Sequence, residues 1–360
     1  MRRSKSSGLP KDYQPGKVGK TIIDPNTKDT YLLNKEIGST SDGCCRVYRA
    51  LHSESMENDT LIPCGHVTLK TINKNHENEC VELQLEAHTS FTNPRGNLIA
   101  VKNYFDTNEV LCVSLPYMSE GSLRYILSTR TQKILSEDCI AIVLKESLLG
   151  LKDIHLIRRV HTTFNAGDIL VHIGDSNGEI KIKLAFAASV YNSENINTEE
   201  EEGGSSSSVF LDLKSISKWG AAPEVYEKDN ATNGPKSDIW LLGITALELG
   251  YGELPVKNRE DLDCIIKKIR EKKKLPKSLE KLLKKKGKVK KALDLIKRKE
   301  KVFSEEFENM VIECLNEEPE KRPTADQLLN YPFFTKQRDM KRFEQFVLNS
   351  ENNSDPTSDN

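Results

Sequence analysis

Three residue groups in this chain have types and spacings suited to handling phosphate. Glu36, Ile37 and Gly38 lead through a polar turn with Gly43 to Val47 and Tyr48. A strand, a glycine turn and a second strand is an arrangement whose backbone N–H groups can cover nucleotide phosphates. Some 20 residues on, the run Val67-Thr68-Leu69-Lys70 sets a lysine at the end of an apolar strand, and Glu86 follows 16 residues later. Read from the residues alone, a strand lysine of this kind can offer its charge to a phosphate or bridge any nearby acid, the latter worth no more than about 1 kcal/mol. Cys44 and Cys45 read as inert turn residues, and no Cys/His spacing in the chain suits zinc.

The elements that must hold these groups follow from periodicity. Short β-type runs cover Tyr31 to Ile37, Arg46 to Leu51, His66 to Ile72, Ala100 to Phe105 and Val110 to Leu115, with one helical stretch around Glu79 to Phe91. That predicts a small antiparallel sheet with one helix over 31–118. Beyond Gly121 the pattern turns helical: Ser136 caps a helix whose Ile140, Val143, Leu144, Leu148, Leu151 and Ile154 recur at helical spacing, and Asp238 to Leu249 reads as another. The expected fold class is therefore α+β, a small sheet lobe followed by a larger, mainly helical one over 119–337.

Residues 1–30 lack periodicity and are expected to form a flexible leader; 338–360 are expected to give a C-terminal helix and a disordered tail. The acidic, serine-rich stretch 198–208, TEEEEGGSSSS, can bury almost nothing. From Lys267 to Lys301 there are 18 Lys/Arg against 4 Asp/Glu, although the whole chain carries a net charge of -1. Its apolar residues, Ile265, Ile266, Ile269, Leu279 and Leu282 among them, keep helical intervals, so this segment reads as an amphipathic basic helix. A solvated face is one reading of it, and an acidic partner the other. Hydrophobic residues are 37% and charged residues 30% of 360, which excludes a collagenous or wholly disordered chain. No run approaches the roughly 20 apolar residues that span a bilayer, and no nucleic-acid motif is present. Eight scattered cysteines suit a reducing compartment, so the expected location is the cytoplasm, with the nucleus as alternative.

Further landmarks follow in a fixed order. Leu115-Pro116-Tyr117-Met118 precedes Gly121-Ser122-Leu123; Val160-His161 comes next, then Ala222-Pro223-Glu224, Lys236-Ser237-Asp238-Ile239-Trp240, and Lys321-Arg322-Pro323-Thr324-Ala325. Together with Lys70 and Glu86, this series resembles the protein kinase superfamily. SDIWLLGITALELG and YPFF are most similar to its germinal-centre-kinase-like, sterile-twenty serine/threonine branch, especially plant members related to the blue-light-signalling kinase. The resemblance implies a bilobal fold and ATP contacts from Gly38, Gly43, Val47, Lys70, Glu86, Leu115 and Met118. It also implies structural roles for His161, for Glu224 paired with Arg322, and for Asp238 receiving catalytic-loop N–H groups.

The same alignment exposes departures. His161 to Asp168 stands where the family has H-R-D-x-K-x-x-N. Thr163 therefore replaces the proton-accepting aspartate, Asn165 the lysine beside the γ-phosphate, and Asp168 the metal-binding asparagine. A threonine hydroxyl is not basic near neutral pH. From Ile180 to Ser193, IKIKLAFAASVYNS holds no Asp or Glu, so whether the family's D-F-G aspartate falls at Lys183, Leu184 or Ala185, its carboxylate is missing. Thr40 replaces the middle glycine of the first loop, and Ile216 to Ala221 replaces the peptide-docking G-T-P-Y-W-M. The resemblance thus implies a pseudokinase that scaffolds or allosterically biases a protein partner, an active kinase for example, with ATP binding retained and magnesium disfavoured. The alternatives are a weak, unconventional serine/threonine kinase, in which Asp168 holds one metal and Lys183 supplies a cation, and a nucleotide sensor without transfer.

Overall fold

The computed structural model describes residues 19–40, 44–58, 60–92, 96–129, 135–174, 178–185, 220–226, 234–252, 254–283 and 301–348. Gly43, the acidic serine-rich stretch, Trp219, residues 284–300 of the basic segment and the ends of the chain lie outside them, as do the side chains of Thr40 and Glu86. The chain divides into two compact units, one of Met1–Ile126 with Gly167–Ser205 and the other of Leu127–Ala166 with Ser206–Asn360.

The first unit is built on a six-stranded sheet of β1 (Thr21–Ile23), β2 (Thr30–Thr40), β3 (Cys45–Ser55), β4 (Leu61–Asn73), β5 (Asn103–Asp106) and β6 (Val110–Pro116). Its order is β1-β2-β3-β4-β6-β5, with every pairing antiparallel. β1 falls inside the stretch expected to be a leader; three residues are too few for alternation to show in sequence, yet Ile22 is buried and pairs with Tyr31. β3 and β4 also run beyond the apolar stretches that announced them, because backbone pairing continues through Ser55 and Leu61 where side chains face water. Tyr31, Leu33, Tyr48, Ala50, Val67, Leu69 and Phe105 cluster in one core of the sheet. A second core takes in Ile72, Val113 and Leu115 together with Cys80, Leu83 and Ala87 of helix α1 (Glu77–Thr92). A smaller sheet, β7 (Gly121–Ser122), β8 (Ile169–Ile173) and β9 (Ile180–Leu184), adds Leu170 to that core, and Ala185, the residue after β9, joins it.

Helix α2 (Leu123–Thr129) leads out of the first unit, and α3 (Glu137–Leu156) is the spine of the second. The Ser136 hydroxyl accepts the Cys139 N–H at 3.3 Å, and the six apolar residues picked out by spacing are each fully buried. After the short α4 (Pro223–Tyr226), α5 (Pro235–Tyr251) is buried almost all round. Gly243 makes this closeness possible: a Cβ there would stand 2.8 Å from Cys314 Cβ of helix α8 (Glu305–Cys314). Between them, α6 (Arg259–Lys272) buries Leu262, Ile265, Ile266 and Ile269 and exposes its basic face, and α7 (Glu280–Leu283) follows. Helices α9 (Ala325–Leu329), α10 (Pro332–Thr335) and α11 (Met340–Leu348) complete the unit. No described helix is long and apolar enough to cross a membrane.

Candidate functional site

Strand register assembles the wall of a cavity in the first unit. Val47 stands opposite Gly38 on one side and Lys70 on the other, and Lys70 is opposite Val113. Two residues along, Lys35, Arg49, Thr68 and Leu115 form the next row across four strands. Alternate strand residues share a face, so Thr68 and Lys70 turn the same way, while β2 takes an extra residue, Ile37, between Glu36 and Gly38.

The cavity measures about 160 Å³. Ile37, Ile99, Leu115, Met118, Leu170 and Ala185 give it apolar walls, and Tyr117 to Ser122 form one rim. Among its described lining residues three are cations, Lys35, Arg49 and Lys70, against one carboxylate, Glu120. Lys70 is only 2% exposed. An apolar cavity with more cations than carboxylates among its described lining residues suits a ligand with an apolar body and an anionic end. Arg49 also fixes the rim: its guanidinium lies 5.2 Å from the Tyr117 ring centre, and its Nη2 is 3.1 Å from His66 Nε2.

Of the residues singled out from sequence, Lys70, Leu115 and Met118 line this cavity. Gly38 and Val47 face each other in the ladder without lining it, and Gly43 is outside the described residues. Glu86 lies on α1. Lys183 does not line the cavity; its Nζ donates to the Gly96 carbonyl. Ala185 does line it, and its N–H donates to the Asp168 carbonyl at 2.8 Å. Asp168 is 1% exposed and is not among the lining residues. Tyr117, within the Leu115 to Met118 landmark, lines the cavity as well, whereas Lys35, Arg49 and Thr68 were not singled out; two-residue alternation from Lys70 and Val47 points to Thr68 and Arg49, but Lys35 needs the extra residue that β2 takes between Glu36 and Gly38.

In the second unit, Asp238 is fully buried and organises the loop after α3. Its carboxylate accepts the His161 N–H at 2.8 Å, the Thr162 N–H at 2.9 Å and His155 Nε2 at 2.8 Å. Thr162 has φ 68°, and the Thr163 N–H donates back to the His161 carbonyl, closing a tight γ-turn. Such a turn is strained, more so at a β-branched residue, and persists only where the surroundings hold it. The Asp238 carboxylate supplies that hold. His161 is 2% exposed and meets Phe164 edge-on at 5.9 Å. Asn165, itself buried, donates its Nδ2 to the Thr163 carbonyl at 2.8 Å. The loop therefore offers a hydroxyl and an amide, with no basic group at Thr163 or Asn165.

Glu224 meets Arg322 in a two-pronged pair at 2.6 and 2.8 Å. The Arg322 side chain is fully buried; it also donates to the carbonyls of Asn316, Lys236 and Glu317 and lies 5.0 Å from the Trp240 ring. The planar guanidinium fork suits this many directed bonds. Trp240 in turn donates its indole N–H to the Gly220 carbonyl at 3.0 Å, tying the segment before α4 to α5.

Comparison with known proteins agrees with this architecture. Residues 31–334 match the protein kinase domain model. The chain is 29% identical over 329 residues, 90% of its length, to serine/threonine-protein kinase fray2 of Dictyostelium discoideum. It is 29% identical over 269 residues, 72% of its length, to germinal center kinase 3 of Caenorhabditis elegans, and 30% identical over 210 residues, 57% of its length, to serine/threonine-protein kinase 4 homolog A of Dictyostelium discoideum. The alignments span 27%, 40% and 37% of those relatives.

Proposed function

Because the chain belongs to the protein kinase family, we propose that it is a nucleotide-binding pseudokinase, one that biases a signalling partner without transferring phosphate itself. The carrying observation is the loop from His161 to Asn165: Asp238 holds its backbone in place, yet Thr163 and Asn165 stand where a general base and a lysine are needed. Absence of a positioned base alone costs about 10² to 10⁴ in rate. ATP fits the cavity of the first unit, where apolar walls suit a purine and the three-to-one excess of cations suits phosphate. Magnesium fits poorly: Glu120 on the rim is the single carboxylate among the described lining residues, so no step is drawn through the metal. Lys70 would hold phosphate oxygens, while Leu115 and Met118 would pack against the base.

The partner on this reading is a protein, an active kinase for example, met in the cytoplasm or nucleus, with the basic face of α6 open to an acidic surface. A second reading, a weak serine/threonine kinase, is favoured by Asp168, which keeps a carboxylate at the position of the family's metal-binding asparagine, and by the kinase names of the relatives.

Melting curves with ATP, with and without magnesium, together with a γ-phosphate transfer assay, separate the two. ATP raises the melting temperature of the wild type and not of Lys70→Ala, by mass action on the folded state, with little dependence on magnesium, and transfer stays at background. Robust transfer abolished by Lys70→Ala would overturn the proposal in favour of the second reading.

A further inference from the structure

Cys44, His76 and Glu79 converge in the first unit: the thiol sulfur, an imidazole nitrogen and a carboxylate oxygen all lie within 4.8 Å of one another. Cys44 is the residue before β3, His76 the residue before α1, and Glu79 belongs to the first turn of that helix. His76 is locked into the turn by its backbone, donating its N–H to the Asn73 carbonyl at 3.0 Å and accepting the Cys80 N–H at 2.9 Å. Three residues apart at a helix start, His76 and Glu79 share a face. All three groups are half-buried, which limits competition from water without closing access.

One sulfur, one imidazole and one carboxylate form a borderline-soft set that selects zinc over magnesium or calcium, and three protein ligands leave a fourth tetrahedral position for water. A thiolate and a carboxylate together neutralise a dication. Cys80, four residues beyond His76, stays outside the set: it is buried and its sulfur turns to the Asn73 carbonyl at 3.6 Å. A second trio, His52, Glu54 and Cys64, converges equally closely. There, however, the imidazole is engaged, with Nε2 3.3 Å from Asp29 and the ring stacked on Tyr31 at 4.8 Å, and Glu54 and Cys64 are exposed.

We propose that Cys44, His76 and Glu79 bind one zinc ion, clipping the start of β3 to the start of α1. The clip would join the strand that carries Val47 and Arg49 to the helix that carries Glu86, stiffening the surroundings of the nucleotide cavity.

The test titrates the full-length, reduced, metal-stripped protein with zinc against a chromophoric chelator, and with cobalt(II) as a spectroscopic probe. Expected are one equivalent bound, a thiolate-to-cobalt charge-transfer band, and a rise in melting temperature with zinc. Cys44→Ser should abolish the band. His76→Ala and Glu79→Gln should each weaken zinc binding by at least the roughly 100-fold that loss of an outer-sphere partner can cost. Cys64→Ser should change nothing. Each variant's circular dichroism without metal serves as the folding control, and His76→Ala, which removes no core side chain, carries the test should Cys44→Ser misfold. Failure to compete with the chelator, or binding that survives His76→Ala, or loss of binding in Cys64→Ser, overturns the proposal.

Discussion

Two groups of polar residues in the second unit, Asp238, Glu224 and Arg322 on the one hand and Thr163 and Asn165 on the other, differ in what fixes them. Asp238, Glu224 and Arg322 are held by several short hydrogen bonds each, Asp238 and Arg322 at full burial. Thr163 is half-buried and joined to the frame through its backbone, and Asn165 bonds to the neighbouring Thr163 carbonyl. The first group carries folding energy, so changing any member leaves a buried charge or carbonyls without partners. The second group would carry only chemistry. On the proposed reading the chain has lost a catalytic base and kept its fold, because the residues that transfer a proton need not be those that bear the structure.

The largest effect that would break this contrast is at Arg322. Arg322→Ala is expected to cost about 3 to 5 kcal/mol in urea unfolding, since it strands Glu224 and three carbonyls at once; a loss under about 1 kcal/mol would show that the frame is not where stability resides. Thr162→Gly tests the strained turn between the two groups. Glycine accepts positive φ without penalty and the Thr162 side chain is exposed, so the variant should gain about 1 kcal/mol or slightly less by thermal or urea melts, glycine's extra chain entropy offsetting part of the relief. Destabilisation there would mean that Asp238 does not hold the turn against strain. The smallest effect belongs to Thr163→Asp, expected within about 0.5 kcal/mol of the wild type and still without transfer activity, because Asn165 and the missing D-F-G carboxylate remain. Strong activity from that single change would collapse the distinction and revive the enzyme reading.

Much of the architecture was legible beforehand because it rests on periodicity. The six buried positions of α3, its Ser136 cap and the strand runs around Lys70 follow from spacings of 3.6 and 2. The Glu224–Arg322 and Asp238 contacts, by contrast, were reached only through family resemblance; nothing local relates residues about a hundred positions apart. Beyond reach lay β1, too short for a pattern, and the hairpin ends of β3 and β4, where backbone pairing proceeds without a buried apolar face and Leu61 and Ile62 stand exposed. Lys35 and Arg49 were hidden as well, since which charged residues line a cavity depends on register between strands and on the irregularity near Ile37.

The sequence by itself determined the α+β class, most of the element types and which side chains stand at Thr163 and Asn165, for each is a matter of which residue occupies a position along one chain. Tertiary structure decided the rest. It turned Lys183 to Gly96, set three cations around the cavity of the first unit, and brought Cys44 to His76 and Glu79, although no linear spacing marks them as ligands. The physical reason is common to all three: directional side-chain contacts depend on distances of a few ångströms between separate elements, and those are fixed only when strand register and helix packing close.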